Sequence, residues 1–231
     1  MLISSMLGID SRTTMDMDAT IKGFELEREN LLNIIEEITN IKLDDCVTFD
    51  IKKIEDIRED DDYGGYRVYL NALFDNMPVS LKIDVTTGDK ITHREIKYKF
   101  DLMLEDRKIE IWSYNVETVL AEKFEGVIKR GIFNTRTRDF YDIYMLLKTQ
   151  RKNIDEDILK IAIFNTAKHR DTTTYITNWQ DTYNILKVDV GIKAQWNKYR
   201  NNNFYANDIE YEDVINSLFE IGEIVDKKYN D

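Results

Sequence analysis

Two acidic residues one position apart are the first feature of this sequence that could do chemistry. Asp16 and Asp18 alternate with Met15, Met17 and Ala19. In a β-strand this alternation places both carboxylates on one face, roughly 7 Å apart along the strand. Two carboxylates at this spacing repel each other unless a cation neutralises them, and Mg²⁺ prefers such hard oxygen ligands. The pair therefore indicates either a magnesium site or a solvated strand face.

A second acidic strand repeats the pattern further along the chain. Leu81, Ile83 and Val85 alternate with Lys82 and Asp84. The apolar residues are expected to face a core, which leaves the lysine and the aspartate on the opposite face. Three carboxylates on adjacent strands can hold two metal ions about 4 Å apart, which activate an attacking hydroxyl and stabilise a leaving pyrophosphate. Metal-dependent nucleases use similar clusters, so the residues alone leave transfer and hydrolysis open.

The elements predicted around these residues change type near residue 113. Before that point, period-two alternation predicts strands, and one segment with helical periodicity predicts a helix over 25–38. The predicted strands are 14–21, 46–51, 66–74, 79–86, 95–104 and 108–112, and the later helices are 116–130, 138–150, 155–168, 175–186, 191–200 and 211–229. The sequence therefore predicts an α+β protein, with a mixed sheet domain over 1–113 and a helical bundle over 114–231.

The amino-acid composition argues against a membrane protein and against metal sites built from cysteine or histidine. The chain has 231 residues, 42% of them hydrophobic and 33% charged, which is typical of a globular protein. It contains no apolar run near the roughly 20 residues that span a bilayer, so we expect a cytoplasmic protein with no membrane partner. One cysteine, Cys46, and two histidines, His93 and His169, argue against cysteine-rich or histidine-based metal sites. Carboxylates must therefore carry any metal chemistry.

Charge and aromatic residues add two further expectations. The net charge of −12 disfavours a broad nucleic-acid coat, but residues 123–138 form a local basic stretch. The acidic run at 59–62 predicts a solvated hairpin turn. Five aromatic residues recur near helical spacing in the second half and are expected in its core rather than on a base-stacking surface. These five are Tyr175, Trp179, Tyr183, Trp196 and Tyr199.

Four blocks of sequence occur in a recognisable order. They are Ser-Arg-Thr-Thr-Met-Asp-Met-Asp at 11–18, Lys-Ile-Asp-Val at 82–85, Glu-Thr-Val-Leu-Ala-Glu-Lys at 117–123 and Arg-Asp-Phe-Tyr-Asp at 138–142. Together they resemble the AbiEii/AbiGii abortive-infection toxin family, over roughly residues 1–150. The resemblance implies a polymerase-beta-like nucleotidyltransferase fold. It also implies the toxin of a toxin–antitoxin or phage-defence pair, with a cognate antitoxin.

The resemblance also assigns roles to particular residues. It makes Asp16, Asp18 and Asp84 the ligands of two catalytic Mg²⁺ ions, and it adds Lys123 and Asp139 to the catalytic residues. Lys123 is expected to reach a phosphate of the NTP substrate as a point charge. Asp142 shares a helix face with Asp139, so either carboxylate could bind Lys123 or a substrate hydroxyl, or could cap the helix near its positive end. The implied reaction transfers a nucleoside monophosphate to an acceptor such as the 3′ end of a tRNA, another nucleic acid or a protein.

The start of the chain departs from the family pattern. The family has an N-terminal helix and a Gly-rich loop about a dozen residues before the Asp-x-Asp strand, and backbone N–H groups of that loop hold phosphates. This sequence begins where the loop should already have ended. Either the helix and loop are missing, or Ser4 and Ser5 provide a weaker nucleotide-binding site. The alternative function is therefore a catalytically impaired binding module with the same fold.

Overall fold

A computed structural model describes residues 2–7, 16–23, 25–57, 64–75, 77–88, 90–102 and 106–227, with the side chain of Asp16 outside the description. The chain divides into two compact units. The described residues between Asp16 and Gly88 belong to the first, whereas residues 2–7 and those from Lys90 onward belong to the second. The acidic run predicted as a turn at 59–62 lies outside the described residues.

The predicted change from strands to helices is confirmed. The last described strand ends at Ser113 and the next helix begins at Val116. The compact units nevertheless separate at residues 89–90, so a two-stranded hairpin within the predicted 1–113 domain groups with the helices instead. Local periodicity predicts whether a segment is a strand or a helix. The compact unit to which the segment belongs depends on tertiary contacts, which periodicity does not encode.

The first unit is a mixed sheet with one helix. Its elements are β1 (Asp16–Ile21), α2 (Arg28–Thr39), β2 (Val47–Ile57), β3 (Gly65–Phe74) and β4 (Met77–Thr87). Among the described residues the strands are ordered β1-β4-β3-β2, with β1 parallel to β4 and the other pairs antiparallel. Strand β2 continues beyond the predicted end at residue 51. The pairing register shifts between Ile51 and Lys53, which interrupts the alternation from which the strand was predicted.

Helix α2 covers the apolar face of this sheet. Leu31 and Ile35 of the helix belong to one buried cluster with Val68, Leu70 and Val85 of the strands. Since side chains alternate between the two faces of a strand, the polar residues between these positions lie on the opposite face. That opposite face, which we call the polar face of the sheet, carries the acidic residues of interest.

The second unit combines helices with the hairpin. Its elements are α1 (Leu2–Leu7), β5 (Ile96–Asp101), β6 (Lys108–Ser113), α3 (Val116–Arg130), α4 (Thr137–Gln150), α5 (Glu156–His169), α6 (Thr173–Thr177), α7 (Trp179–Val188), α8 (Val190–Asn202) and α9 (Tyr211–Asp226). Apolar side chains of these helices form one buried cluster. Helix α1 packs on α4, where Gln150 Nε2 donates a hydrogen bond to the carbonyl oxygen of Met6 at 3.0 Å.

Side-chain caps and one glycine set the limits of the helices that carry the site. The side chain of Asn115 accepts a hydrogen bond from the backbone N–H of Thr118 at 3.2 Å, which fixes the start of α3. Helix α3 ends at Gly131, whose φ of +51° is a left-handed conformation that favours glycine. A single 3₁₀ turn, Gly131–Phe133, then leads towards α4.

The aromatic core largely matches the expectation. Trp179, Tyr183 and Trp196 are buried, and Tyr199 is partly buried, but Tyr175 is exposed, so its prediction was wrong. Tyr175 lies on the short helix α6, which ends before α7 begins and so interrupts the continuous helix predicted over 175–186. No helix in the described ranges is both long and apolar enough to cross a membrane.

Candidate functional site

The parallel pairing of β1 with β4 brings two of the predicted metal ligands side by side. Asp18 is the direct strand partner of Asp84, and Asp16 is the partner of Lys82. Directly paired residues of neighbouring strands project from the same face, so Asp18 and Asp84 share the polar face of the sheet. Asp18 is exposed. Asp16 is the first residue of β1, but its side chain lies outside the described residues.

Asp84 already has a cationic partner. Arg67, directly opposite on β3, donates from Nε to Asp84 Oδ1 and from an Nη atom to Asp84 Oδ2, both at 2.7 Å. These hydrogen bonds raise the pKa of the guanidinium above its ordinary value. Across the next strand, Glu55 is the partner of Arg67. Asp18, Asp84, Arg67 and Glu55 therefore form one charged row across the sheet, which we call the sheet row.

The sheet row has a donor set that fits a divalent cation. Mg²⁺ is commonly bound by one or two carboxylates together with waters and substrate phosphates. Each oxygen of Asp84 accepts one hydrogen bond from Arg67 and keeps further lone-pair capacity. Among the described side chains, no three acidic, histidine or cysteine residues are grouped closely enough to hold a metal. Asp18 and Asp84 are therefore the described candidates, and Asp16 would have to complete the set.

A second group of charges lies within the helical unit. Lys123 Nζ on α3 is 2.7 Å from Asp139 Oδ1 and 2.7 Å from Asp142 Oδ2, both on α4. We call these three residues the helix triad. Burial lowers the pKa of Lys123, but the two carboxylates outweigh this effect, so the pKa stands above its ordinary value. Lys123 is therefore a charged group that ties α3 to α4.

The triad answers a question that the sequence left open. Asp139 and Asp142 are three residues apart on one helix face, and Lys123 binds both rather than choosing between them. Asp142 is fully buried, whereas the side chain of Asp139 is 14% exposed. Asp139 is thus the carboxylate of the triad with access to solvent.

Ser4 and Ser5, the predicted nucleotide-binding residues, lie on α1. Ser5 Oγ donates a hydrogen bond to the hydroxyl of Tyr98 at 3.2 Å. The Oγ atom of Ser4 is buried, and it has no hydrogen-bond partner among the described residues. The hydroxyl of Ser5 is therefore held within the second unit.

Arg67 is a functional candidate that the sequence analysis missed. Its position gave one usable signal, because it alternates with Tyr66 and Val68 and therefore belongs to the polar face of its strand. Alternation assigns a face but not a neighbour. The strand order and register needed to place Arg67 beside Asp84 came from the tertiary structure.

A mixed sheet with paired acidic strands, joined in sequence to a helical unit, is the arrangement expected of a nucleotidyltransferase. The sequence matches the family described as nucleotidyl transferase AbiEii toxin, type IV toxin–antitoxin system, over residues 1–217. This match spans nearly the whole chain. The chain therefore belongs to the AbiEii family of nucleotidyltransferase toxins.

Two crystal structures are similar to this chain. JHP933 from Helicobacter pylori is 16% identical, with a TM-score of 0.41, and the match covers 94% of this chain and 76% of that one. An H. pylori protein described as a candidate nucleotidyltransferase is 17% identical, with a TM-score of 0.39, and the match covers 94% of this chain and 78% of that one. No curated protein matches the sequence.

Proposed function

We propose that this protein transfers a nucleoside monophosphate from an NTP to an acceptor, with Mg²⁺ held by Asp16, Asp18 and Asp84. The observation that carries the proposal is the parallel register that makes Asp18 the neighbour of Asp84 on the polar face of the sheet. When bound there, Mg²⁺ would neutralise the phosphates and activate the attacking hydroxyl. The family match supports the reaction class.

The chain's own residues would bind and orient the substrate. Arg67 pairs with both oxygens of Asp84, so a metal at that carboxylate would compete with the guanidinium. Lys123 is charged and would act on a nucleotide phosphate as a point charge. Asp139 is the more exposed carboxylate bound to Lys123, so a phosphate or an acceptor hydroxyl would exchange with it before Asp142.

The acceptor and the partners belong to the same proposal. We propose a nucleic-acid acceptor, with the 3′ end of a tRNA as the first candidate and a protein as the alternative. The family description places the toxin in a type IV toxin–antitoxin system, which supports a cognate antitoxin. We further propose that the protein acts in the cytoplasm in defence against phage.

A transfer assay tests the proposed reaction. The protein is incubated with each labelled NTP, Mg²⁺ and total RNA, and the labelled product is identified by electrophoresis and mass spectrometry. Label should enter an acceptor in the presence of Mg²⁺ and not with excess chelator. RNA cleavage without added NTP would instead assign a metal-dependent nuclease.

One observation favours a second candidate, a catalytically impaired binding module. Ser5 Oγ donates to the Tyr98 hydroxyl and Ser4 Oγ is buried, which supports a weaker phosphate site than a Gly-rich loop would give. Calorimetric titration of NTP with Mg²⁺ separates the candidates. Binding that depends on Asp18 supports the enzyme, whereas no measurable NTP binding supports the impaired module.

A further inference from the structure

Phe133 is an aromatic side chain that the core does not use. It is 84% exposed, and Ile132 beside it is also exposed. It ends the 3₁₀ turn that joins α3 to α4. Single exposed apolar residues are ordinary on protein surfaces, so the exposure becomes informative only together with its surroundings.

The backbone around Phe133 is firmly held. The backbone N–H of Asn134 donates to the carbonyl oxygen of Gly131 at 3.1 Å, and Asn134 Oδ1 accepts from the N–H of Arg136 at 2.9 Å. Asn134 itself is buried. The ring is therefore presented from a fixed turn, which lowers the entropy lost when a partner packs against it.

Basic residues flank the ring on both sides in sequence. Lys129 and Arg130 end α3, and Arg136 and Arg138 lie at the start of α4. Arg136 and Arg138 are exposed. Within the described part of the chain, Arg130 and Arg138 have no ion-pair partner. In a protein of net charge −12, this segment concentrates positive charge around one exposed ring.

The same segment leads into the helix triad. Asp139, which binds Lys123, follows Arg138 directly and lies in the first turn of α4. A ligand bound along Phe133 and Arg138 would thus lie beside the segment that carries Asp139, the less buried carboxylate of the triad.

We propose that Phe133 is a stacking platform for an unpaired base of the RNA acceptor, with Arg136 and Arg138 binding the adjoining phosphates. This inference rests on the proposed function and specifies how its acceptor is held. Single-stranded RNA is recognised by stacking of splayed bases on aromatic rings and by cations along the backbone. One exposed ring on a hydrogen-bonded turn, with exposed arginines close to it in sequence, fits that chemistry.

A binding experiment tests the platform on the full chain. A short, fluorescently labelled single-stranded RNA is titrated with wild type, Phe133→Ala and Phe133→Trp at several salt concentrations, and anisotropy is recorded. Phe133→Ala should weaken RNA binding by about fivefold to a hundredfold, the range expected for losing one stacked base. Phe133→Trp should bind at least as tightly as wild type.

Salt dependence separates stacking from charge. Arg138→Gln should reduce the slope of log affinity against log salt by about 0.7, the value for one phosphate contact on a single strand. Phe133→Ala should leave that slope unchanged. The matched control is Phe204→Ala, because Phe204 is 76% exposed in another 3₁₀ turn and the arginine nearest to it in sequence, Arg200, pairs with Glu210. It should bind RNA like wild type.

The inference and the proposed function fail in distinguishable ways. Equal RNA affinity for wild type and Phe133→Ala, with nucleotide transfer intact, overturns the platform alone. No measurable RNA binding by wild type also overturns the platform. The platform is likewise overturned if a purified antitoxin binds wild type but not Phe133→Ala while both proteins bind RNA equally. RNA binding that depends on Phe133, without any NTP binding, supports the platform and overturns the proposed transfer reaction.

Discussion

The sheet row and the helix triad both combine carboxylates with a cation, but they differ in burial. In the sheet row the side chains of Arg67 and Asp84 are 34% and 20% exposed, and Asp18 is exposed as well. In the helix triad Lys123 is 16% exposed and Asp142 is fully buried. The row therefore meets solvent, whereas the triad is largely enclosed by its own helices.

This difference assigns different physical roles to the two groups. Removing one partner of a buried ion pair leaves an uncompensated charge in a poorly solvated place, which is strongly destabilising. A solvated pair contributes little to stability, because water and salt ions replace the lost partner. We infer that Lys123 and the fully buried Asp142 hold α3 and α4 together, whereas the sheet row can exchange partners with a metal or a substrate. The proposed phosphate contact of Lys123 would replace only the less buried Asp139.

The largest expected effect comes from removing the cation of the helix triad. Lys123→Met leaves two carboxylates, one fully buried, without their counter-ion, so the free energy of unfolding should fall by about 3–5 kcal/mol. Urea denaturation measures the change. Lys168→Met, an exposed lysine on α5, is the matched control and should stay within about 0.5 kcal/mol of wild type.

A second substitution sharpens this test. Adding Asp142→Asn to Lys123→Met removes the fully buried negative charge and should restore part of the lost stability. If Lys123→Met is as stable as wild type, the triad does not hold the helices together, and the contrast with the sheet row disappears.

The next effect concerns catalysis rather than stability. Asp18→Asn and Asp16→Asn each remove a proposed metal ligand, so nucleotide transfer should fall by about a hundredfold or more, roughly 3 kcal/mol of transition-state stabilisation. Without metal, the melting temperature should hold or rise because like charges are removed. Asp50→Asn on β2 is the matched control, since Asp50 pairs with Lys52 on the same sheet and should not affect transfer. A loss of several degrees in either variant would make the pair structural.

Replacing Arg67 should have a smaller effect on stability. Arg67→Gln removes a partly exposed bidentate pair, so the expected loss is about 1 kcal/mol or less. The variant should also bind Mg²⁺ more tightly, because a positive charge no longer competes for Asp84. Calorimetric titration with Mg²⁺ in the absence of NTP measures this. Weaker binding would show that Arg67 is needed to orient the ligand.

The smallest expected effect is the pH dependence of the stability that Lys123 contributes. No change in this contribution is expected near neutral pH. The folded-state pKa of Lys123 is raised above its ordinary value of 10.5. Its contribution to stability is therefore fully present below pH 10.5 and is lost as the pH rises through the folded-state pKa. The stability gap between wild type and Lys123→Met, measured by urea denaturation, should narrow above pH 10.5. A gap that stays constant through the lysine titration range would contradict the charged triad.

Local sequence patterns predicted which segments near the site are strands or helices and on which face of each segment the acidic side chains lie. Alternation placed Asp84 on the polar face of a strand, and helical spacing placed Asp139 and Asp142 on one face of a helix, as α4 confirms. Such patterns are local, because side chains in a strand repeat every two residues and those in a helix every 3.6. The four sequence blocks likewise predicted the family that the match over residues 1–217 confirms.

The tertiary structure decided which of these residues are neighbours. No local sequence pattern shows that β1 lies beside β4 or that Arg67 rather than Lys82 binds Asp84. Nor does such a pattern show that Lys123 binds two carboxylates. Strand order and register depend on contacts between residues far apart in sequence, and the same alternation is compatible with several pairings. Burial of the triad and exposure of Phe133 follow from helix packing for the same reason.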